Sequence, residues 1–407
     1  MLTSWGQIEL KYRDLSTEDG LPSNSIINIV QDPQGYIWMA TSDGLCRYDG
    51  YSSDVLRHEE NGNNKLLLTN QLRWLSQNPN GLLFIRLQGE RYSCYDTNKR
   101  RFVRFIPDGN DQKNYCDCVF TPEGDTWLWY TYSGCIEVKY HEGKITSREY
   151  NESNGQLSSN DVRFILPDSR HRVWIGTAKG LYVKEEKAGN TLRCVDSRHT
   201  FTNAVEMGKN IYFATSDRQI MHADTQGRLQ TDVATFPSLT AGNRIRGLAA
   251  IDDSQMLVIT NTTTYRFDTT THSVTVNDIQ MPEGTVYRDN AGNYYIGDNH
   301  VNVYYIDRKR HEIYTFNVLD RQLLRKRGIT PYMVETGKDG KIWITTTGNG
   351  LFVYDPATRQ QAHFSPKSGP SPIKSDYLYG QLIDRSGNIW VSQENMGISV
   401  ITDMPRV

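Results

Sequence analysis

Residues 20–50 read GLPSNSIINIVQDPQGYIWMATSDGLCRYDG and contain two short apolar runs, each followed by turn residues. The run SIINIVQD leads into the turn Asp32-Pro33-Gln34-Gly35, and the run YIWMAT leads into Asp43-Gly44. Asp at the first position, Pro at the second and Gly at the fourth are typical of a type I turn with a left-handed exit. The stretch therefore predicts short antiparallel β-strands joined by tight turns.

The same pattern recurs along the chain, as RVWIGT, KIWITT and NIWVSQ in place of YIWMAT. Each copy has a large apolar residue near its centre, namely Trp38, Phe84, Trp127, Trp174, Tyr212, Leu257, Tyr295, Trp343 and Trp390. A third run such as LFVYD and a fourth, polar run such as RFVRFIP complete a copy. Nine copies at a period of about 44 residues predict an all-β fold, a β-propeller of four-stranded antiparallel blades.

A blade is covered on both faces by its neighbours, so its second strand should carry large buried side chains. This explains the tryptophans of the strongest copies, Trp38, Trp174, Trp343 and Trp390. We expect them to pack between blades and not to serve as platforms for a ligand.

The number of blades in the ring is open at this point. The N-terminal IELKYRDLST reads as a lone fourth strand, and the C-terminal ISVITD reads as a third strand without a fourth. The favoured arrangement is a seven-bladed ring with an N-terminal closing strand over residues 1–316, followed by two blades over residues 317–407 that begin a second propeller. The alternative is a single ring of all nine units. In that ring the first strand would complete the last blade and cover its exposed edge.

Composition excludes several classes of protein. The 407 residues are 37% hydrophobic and 11% aromatic, which is enough for a packed core and argues against disorder. A net charge of −2 gives no reason to expect a nucleic acid as partner. No apolar run reaches the roughly 18 residues that span a bilayer, so no membrane insertion by this chain is expected. The N-terminus shows no signal-peptide pattern, which leaves a cytoplasmic protein or a segment whose signal has been removed.

Motifs for catalysis or metal binding are not found. The sequence has no nucleophile elbow, zinc-protease helix or phosphate-binding lysine loop, and its nine histidines are scattered. The six cysteines form no disulfide framework and are expected to be buried. Cys116, Cys118 and Cys135 lie close enough to suggest a metal site but lack a fourth ligand. We therefore predict no catalytic residue, no metal and no cofactor.

A ligand is expected where the loops that lead into the innermost strands surround the central channel. An asparagine marks these loops, and the residue three positions later varies from blade to blade: Ile27, Arg73, Asp117, Arg163, Glu206 and Arg246. Arg73 with Trp74, Arg163 and Arg246 would suit a sugar acid or a sulfated sugar. The alternative is that these arginines form salt bridges with Asp117 and Glu206 across the channel mouth.

The aromatic stretch from Trp127 to Tyr132 adds two candidates. Trp127 and Trp129 share one strand face and are expected in the core, whereas Tyr130 and Tyr132 would line a sugar site at the mouth. The complete set of predicted ligand-binding residues is Arg73, Trp74, Asp117, Tyr130, Tyr132, Arg163 and Arg246.

The stretches GLPSNSIINIVQDPQGYIWMATSDGLCRYDG, LSSNDVRFILPDSRHRVWIGTAKGLY and YGQLIDRSGNIWVSQENMGISV carry a resemblance to a known family. The chain resembles the regulator-propeller repeats of the periplasmic sensor region of Bacteroidetes hybrid two-component histidine kinases. In that family the repeats build two consecutive seven-bladed propellers, followed by a β-sandwich, a membrane helix and cytoplasmic kinase, receiver and DNA-binding modules. This chain resembles the front of such a sensor and lacks the kinase.

The resemblance implies a non-catalytic, periplasmic domain that binds glycan-derived oligosaccharides and controls polysaccharide-utilisation genes. It also implies a possible homodimer in the full-length sensor. Two alternatives stay open, namely a propeller-fold polysaccharide lyase or hydrolase, and a protein-interaction scaffold without a small ligand. A propeller fold alone does not decide among them.

Overall fold

The computed structural model describes residues 10–107, 113–115, 117–130, 132–185, 189–236, 242–281, 283–297, 302–317 and 331–402. Within these ranges the chain forms 36 β-strands and one short 3₁₀ turn, Thr17–Asp19. The strands make nine four-stranded antiparallel sheets arranged as the blades of a β-propeller. The predicted all-β fold is confirmed.

Each blade from the first to the eighth uses four consecutive strands. The first blade is β2 (Ile26–Gln31), β3 (Ile37–Thr41), β4 (Gly44–Tyr48) and β5 (Ser53–Leu56). The second is β6 (Leu72–Gln77), β7 (Leu82–Leu87), β8 (Tyr92–Asp96) and β9 (Arg101–Val103). The third is β10 (Asp117–Phe120), β11 (Thr126–Tyr130), β12 (Gly134–His141) and β13 (Lys144–Tyr150). The fourth is β14 (Val162–Pro167), β15 (Val173–Thr177), β16 (Gly180–Lys184) and β17 (Arg193–Asp196).

The next four blades repeat this order. The fifth is β18 (Phe201–Met207), β19 (Asn210–Thr215), β20 (Gln219–Ala223) and β21 (Leu229–Thr235). The sixth is β22 (Ile245–Ala250), β23 (Gln255–Thr260), β24 (Thr264–Asp268) and β25 (Ser273–Val276). The seventh is β26 (Thr285–Arg288), β27 (Tyr294–Gly297), β28 (Asn302–Asp307) and β29 (Glu312–Asn317). The eighth is β30 (Pro331–Thr336), β31 (Ile342–Thr346), β32 (Leu351–Asp355) and β33 (Gln360–Phe364).

The ninth blade joins the two ends of the described chain. It consists of β34 (Leu378–Ile383), β35 (Asn388–Gln393), β36 (Gly397–Thr402) and the N-terminal strand β1 (Lys11–Leu15). Strand β1 is antiparallel to β36, with Lys11 opposite Thr402 and Leu15 opposite Ile398. The first strand therefore supplies the outermost strand of the last blade, as the closing-strand expectation requires.

The ring contains all nine blades. Apolar clusters lie between successive blades around the whole circle, and one of them packs Trp390 and Val400 of the ninth blade against Ile26 and Met39 of the first. The backbone N–H of Arg385, in the ninth blade, also donates to Oε1 of Gln31 at 2.9 Å. The single ring is the arrangement observed, in place of the favoured seven-bladed ring, because β1 pairs with the ninth blade.

The predicted division of the chain into two domains between residues 316 and 317 stays a prediction. Residues 318–330, which include the segment DRQLLRKRG, lie outside the described part of the chain. Across this point, Tyr305 and Phe316 of the seventh blade share an apolar cluster with Ile344 and Tyr354 of the eighth.

The tryptophans of the second strands pack between blades, as expected. Trp38, Trp174, Trp343 and Trp390 are all buried. In three of these blades the indole Nε1 also donates to the carboxylate of the turn aspartate six residues earlier: Trp38 to Asp32 at 2.7 Å, Trp174 to Asp168 at 2.9 Å and Trp390 to Asp384 at 2.8 Å. The turn aspartate thus accepts the hydrogen bond that the buried indole N–H needs, since leaving this N–H unpaired would destabilise the fold.

In the first blade, the structure explains why the third strand begins with a glycine, Gly44. Gly44 has φ +111°, and a Cβ there would lie 2.6 Å from the backbone oxygen of Leu56. Gly35 has a similar φ of +103°, but a Cβ there would meet nothing within 4 Å. Both positions disfavour a side chain through backbone conformation, and only Gly44 adds a steric clash.

We expect Gly44→Ala to lower the free energy of unfolding by about 2 kcal/mol more than Gly35→Ala, because only Gly44→Ala adds overpacking to the positive-φ strain. Urea unfolding of the two variants measures the difference. Equal losses would mean that strand β5 moves away from the new methyl group without cost.

Candidate functional site

The inner strands of most blades carry a one-residue bulge near their start. In the first blade Ile26 lies opposite Thr41 and Asn28 lies opposite Ala40, so Ile27 has no partner in the ladder. The same shift occurs in the second, fourth, fifth, sixth and eighth blades. A bulge of this kind displaces the extra side chain from the two faces of the sheet. Because the neighbouring blades cover those faces, the displaced side chain points to the central channel.

The extra residues in these six blades are Ile27, Arg73, Arg163, Thr202, Arg246 and Tyr332. The three arginines are exposed, although the residue before each one is buried: Leu72, Val162 and Ile245. The structure thus places three of the predicted site residues at equivalent bulge positions of the inner strands, on the second, fourth and sixth blades. We call Arg73, Arg163 and Arg246 the channel arginines.

Within the described part of the chain, two of the channel arginines have no polar partner for their side chains. No hydrogen bond or ion pair joins the guanidinium of Arg73 or of Arg246 to another described residue, whereas Nη2 of Arg163 lies 2.5 Å from Oδ2 of Asp161. Other arginines near this face are paired, Arg57 with Asp43 at 2.8 Å and Arg86 with Glu90 at 2.6 Å.

Asp117 and Glu206 do not neutralise the channel arginines. Both oxygens of Glu206 accept from the backbone N–H of Ser169, at 3.0 and 3.1 Å, in the turn between β14 and β15. This turn is at the opposite end of the inner strands, so Glu206 does not lie at the mouth. The expectation of salt bridges to Glu206 is wrong, because the bulged residue of the fifth blade is Thr202.

Asp117 lies one residue past the bulge position. It is opposite Trp129, just as Asn28 is opposite Ala40, and the residue equivalent to Ile27 is Cys116, which lies outside the described residues. Asp117 has an exposed surface, but protein atoms crowd its carboxyl group. The resulting desolvation raises its pKa, while a backbone hydrogen bond from Cys118 and the charge of Arg86 act in the opposite direction.

We call the face on which the inner strands begin the upper face, and the opposite face the lower face. The predicted aromatic residues of the third blade reach the upper face in the turn between β11 and β12. The rings of Tyr130 and Tyr132 contact each other edge to face, with centroids 5.8 Å apart. Tyr132 is 76% exposed, and Tyr130 is half-buried. Trp127 and Trp129 are buried, as expected, and Trp74 is half-buried on inner strand β6.

The asparagines of the connecting loops are structural. Oδ1 of Asn24, Asn70 and Asn160 accepts a backbone N–H from the loop before it, at distances of 2.6 to 2.9 Å. Their backbone carbonyls accept from Gly397, Gly44 and Gly134 of the preceding blade, each at 3.0 Å. These contacts fix the loops of the upper face and so hold the start of each inner strand in place.

One carboxyl group with an unusual pKa was not singled out from the sequence. Glu335 lies on inner strand β30, opposite Trp343. Desolvation, together with the nearby carboxylate of Asp289, raises the pKa of Glu335 to about 8. A raised carboxyl pKa is a property of general acids and also of buried structural carboxyls. Only its position on an inner strand could have drawn attention to it.

The cysteines show no metal-binding arrangement in the described part of the chain, where no cluster of three or more His, Cys, Asp or Glu side chains is placed to hold an ion. Cys46, Cys94 and Cys135 are buried, and burial raises the pKa of the Cys46 thiol to about 11. Cys194 is exposed, so the expectation of burial is wrong for that residue.

Sequence comparison identifies the repeats. Residues 20–43 and 156–179 match the family model described as two component regulator propeller, and each match spans the inner strand and the whole second strand of its blade. No curated protein sequence matches this chain. No helix in the described ranges is long and apolar enough to cross a membrane.

Solved structures similar to this chain include extracellular domains from B. thetaiotaomicron. The domain of the putative one component system BT4673 is 16% identical over 98% of this chain and 59% of that chain, with a TM-score of 0.39. The domain of the putative hybrid two component system BT3049 is 17% identical over 96% of this chain and 65% of that chain, with a TM-score of 0.30. This chain therefore spans about three-fifths of the length of these two domains.

The Dos1 propeller is similar over 97% of this chain and 95% of that chain, with 10% identity and a TM-score of 0.54. This similarity supports the propeller fold of this chain.

Proposed function

We propose that this chain is a non-catalytic, extracytoplasmic sensor domain of a two-component regulator. In this proposal it binds glycan-derived oligosaccharides at the upper face, in the periplasm, and occupancy controls polysaccharide-utilisation genes through the rest of a longer protein. The observation that carries the proposal is the match of two blades to regulator propeller repeats. The full-length sensor would act as a homodimer.

The upper face has features that favour a sugar ligand. Tyr132 presents an exposed aromatic ring, and the half-buried Tyr130 holds it at an edge-to-face angle of 76°. Aromatic faces bind the apolar faces of sugar rings, while nearby guanidinium groups donate hydrogen bonds to sugar oxygens. Side chains contributed by several blades around one mouth would allow an oligosaccharide to be recognised over more than one ring.

Calorimetric titration of the protein with a panel of glycan oligosaccharides, with product analysis of the same mixtures, tests this function. We expect binding without turnover. Tyr132→Ala should weaken the binding of the best oligosaccharide roughly tenfold, because it removes an exposed aromatic contact at the mouth. Tyr51→Ala is the matched control, since Tyr51 is 96% exposed in the turn between β4 and β5, on the lower face. If no oligosaccharide of the panel binds and no product forms, a protein-interaction scaffold would be favoured.

A second candidate function, cleavage of a polysaccharide, needs a general acid, and the carboxyl group of Glu335, near the lower end of inner strand β30, is the candidate for it. A pKa of about 8 would leave this group mostly protonated at neutral pH, as a general acid requires. If products form in the titration mixtures, Glu335→Gln should abolish them while leaving oligosaccharide binding intact. Turnover that survives this substitution would place the chemistry elsewhere.

A further inference from the structure

Two of the three channel arginines, Arg73 and Arg246, carry a positive charge that no described side chain compensates. The three channel arginines sit at equivalent bulges on alternate blades. The two acidic residues considered as partners of these arginines do not pair with them. Glu206 accepts a hydrogen bond from Ser169 in a turn of the lower face, and Asp117 lies one residue after the position equivalent to the arginines. The third arginine, Arg163, is paired with Asp161, whose Oδ1 is buried and accepts no hydrogen bond.

We propose that the channel arginines bind an oxyanion, namely the carboxylate or sulfate group of an acidic oligosaccharide. This inference deepens the proposed function. Only the statement that the anion belongs to a sugar rests on that function. A planar guanidinium donates two parallel hydrogen bonds to such a group, a geometry that suits carboxylates and the tetrahedral oxyanions. Because Asp161 partly neutralises Arg163, an anion would chiefly balance the charges of Arg73 and Arg246.

The remaining bulge positions suit this ligand. The other extra residues at the described bulges carry no charge, and they are Ile27, Thr202, Tyr332, and Tyr379 with Gly380. The positive charge is therefore confined to the arc from the second to the sixth blade. Trp74 follows Arg73 directly, and Tyr130 and Tyr132 belong to the third blade, between the second and the fourth. The aromatic groups thus lie within the same arc, where a sugar ring attached to the anion would reach them.

The first test measures anion binding without assuming a particular glycan. The unfolding temperature is followed against sulfate concentration, with chloride keeping the ionic strength constant. Sulfate stabilises folded proteins in general, but that effect grows steadily with concentration, whereas binding at a site saturates. We expect a saturable component in the wild-type protein and its loss in the triple variant Arg73→Gln, Arg163→Gln, Arg246→Gln. A triple variant at the exposed residues Arg13, Arg100 and Arg101 has the same change of charge and should keep that component.

The second test compares matched sugars. Trigalacturonate is titrated against its methyl ester, and a sulfated disaccharide against its unsulfated form. In at least one pair, we expect the acidic sugar to bind at least about tenfold more tightly than its neutral form. The Arg-to-Gln triple variant should lose that preference. Arg73→Lys keeps the charge but not the planar fork, and it should lose part of the preference.

The outcomes separate this inference from the proposed function. The anion site is overturned if sulfate has no saturable effect on the unfolding temperature of the wild-type protein. It is also overturned if that effect persists in the triple variant of the channel arginines. Neutral oligosaccharides that bind as well as acidic ones, with no effect of the channel substitutions, also overturn it and leave sensing of glycans in place. A sulfate site at the channel arginines without binding of any oligosaccharide would support the anion site and contradict the sugar-sensing function.

Discussion

Replacing Asp168 with alanine is expected to lower the free energy of unfolding by about 4 kcal/mol, because it leaves a buried cation without its counter-ion. Oδ2 of Asp168 accepts from Nε of Arg172 at 2.7 Å and from Nε1 of Trp174 at 2.9 Å, and both Asp168 and Arg172 are buried. Oδ1 accepts two backbone N–H groups of the turn, from Arg170 and Arg172. Thermal and urea unfolding of the variant measure the loss.

The ninth blade provides a matched control for this prediction. Asp384 makes the same contacts with its turn and with Trp390, but Nδ2 of the neutral Asn388 takes the place of the arginine. We expect Asp384→Ala to cost about 2 kcal/mol, since only neutral donors lose their acceptor. Equal losses at the two positions would show that the buried ion pair adds nothing. Adding Arg172→Leu to Asp168→Ala should restore part of the stability.

Introducing a charge at Leu15 is expected to open the ring at its closing strand. Leu15 is 6% exposed and packs in the cluster that joins the ninth blade to the first, together with Leu21, Ile398 and Val400. An aspartate there would bury an unpaired carboxylate and remove the apolar contacts of strand β1. We expect Leu15→Asp to cost about 4 kcal/mol and to make the β36 edge available for aggregation.

Tyr12→Asp introduces the same charge on the same strand and serves as the control. Tyr12 is 48% exposed, so we expect a loss below about 1 kcal/mol. Unfolding temperatures, limited proteolysis and light scattering of the two variants distinguish the positions. If Leu15→Asp behaves like Tyr12→Asp, closure by β1 is not what stabilises the ring.

The blade itself was predictable from the sequence, because turn aspartates, turn glycines and central tryptophans repeat at a regular spacing. The number of blades in the ring was not. Ring size depends on the angle between neighbouring blades, and that angle is set by the packing of many side chains, such as Met39 against Trp390. The lone first strand and the incomplete last blade did indicate closure, and they pointed to the nine-bladed alternative.

The candidate site was predicted in part. Counting three residues from the loop asparagine located Arg73 and Arg163 correctly, because both blades enter their inner strand through loops of similar geometry. The count failed in the fifth blade, where Asn203 lies inside the strand and donates to the carbonyl of Arg246. A bulge is a local register shift that depends on the partner strand, so the sequence of one strand does not reveal it. The role of Asp32 and its equivalents as acceptors for the indoles was also missed, although the six-residue spacing to tryptophan was visible.

The pairing of Lys11 with Thr402 has a kinetic consequence for the whole molecule. Eight blades consist of neighbouring segments and have low contact order, whereas the ninth requires two segments from opposite ends of the described chain to find each other. The entropy of closing so large a loop makes this the most expensive contact of the fold. A nascent chain therefore emerges from the ribosome as an open array of blades, and the ring can close only after strand β36 has been synthesised.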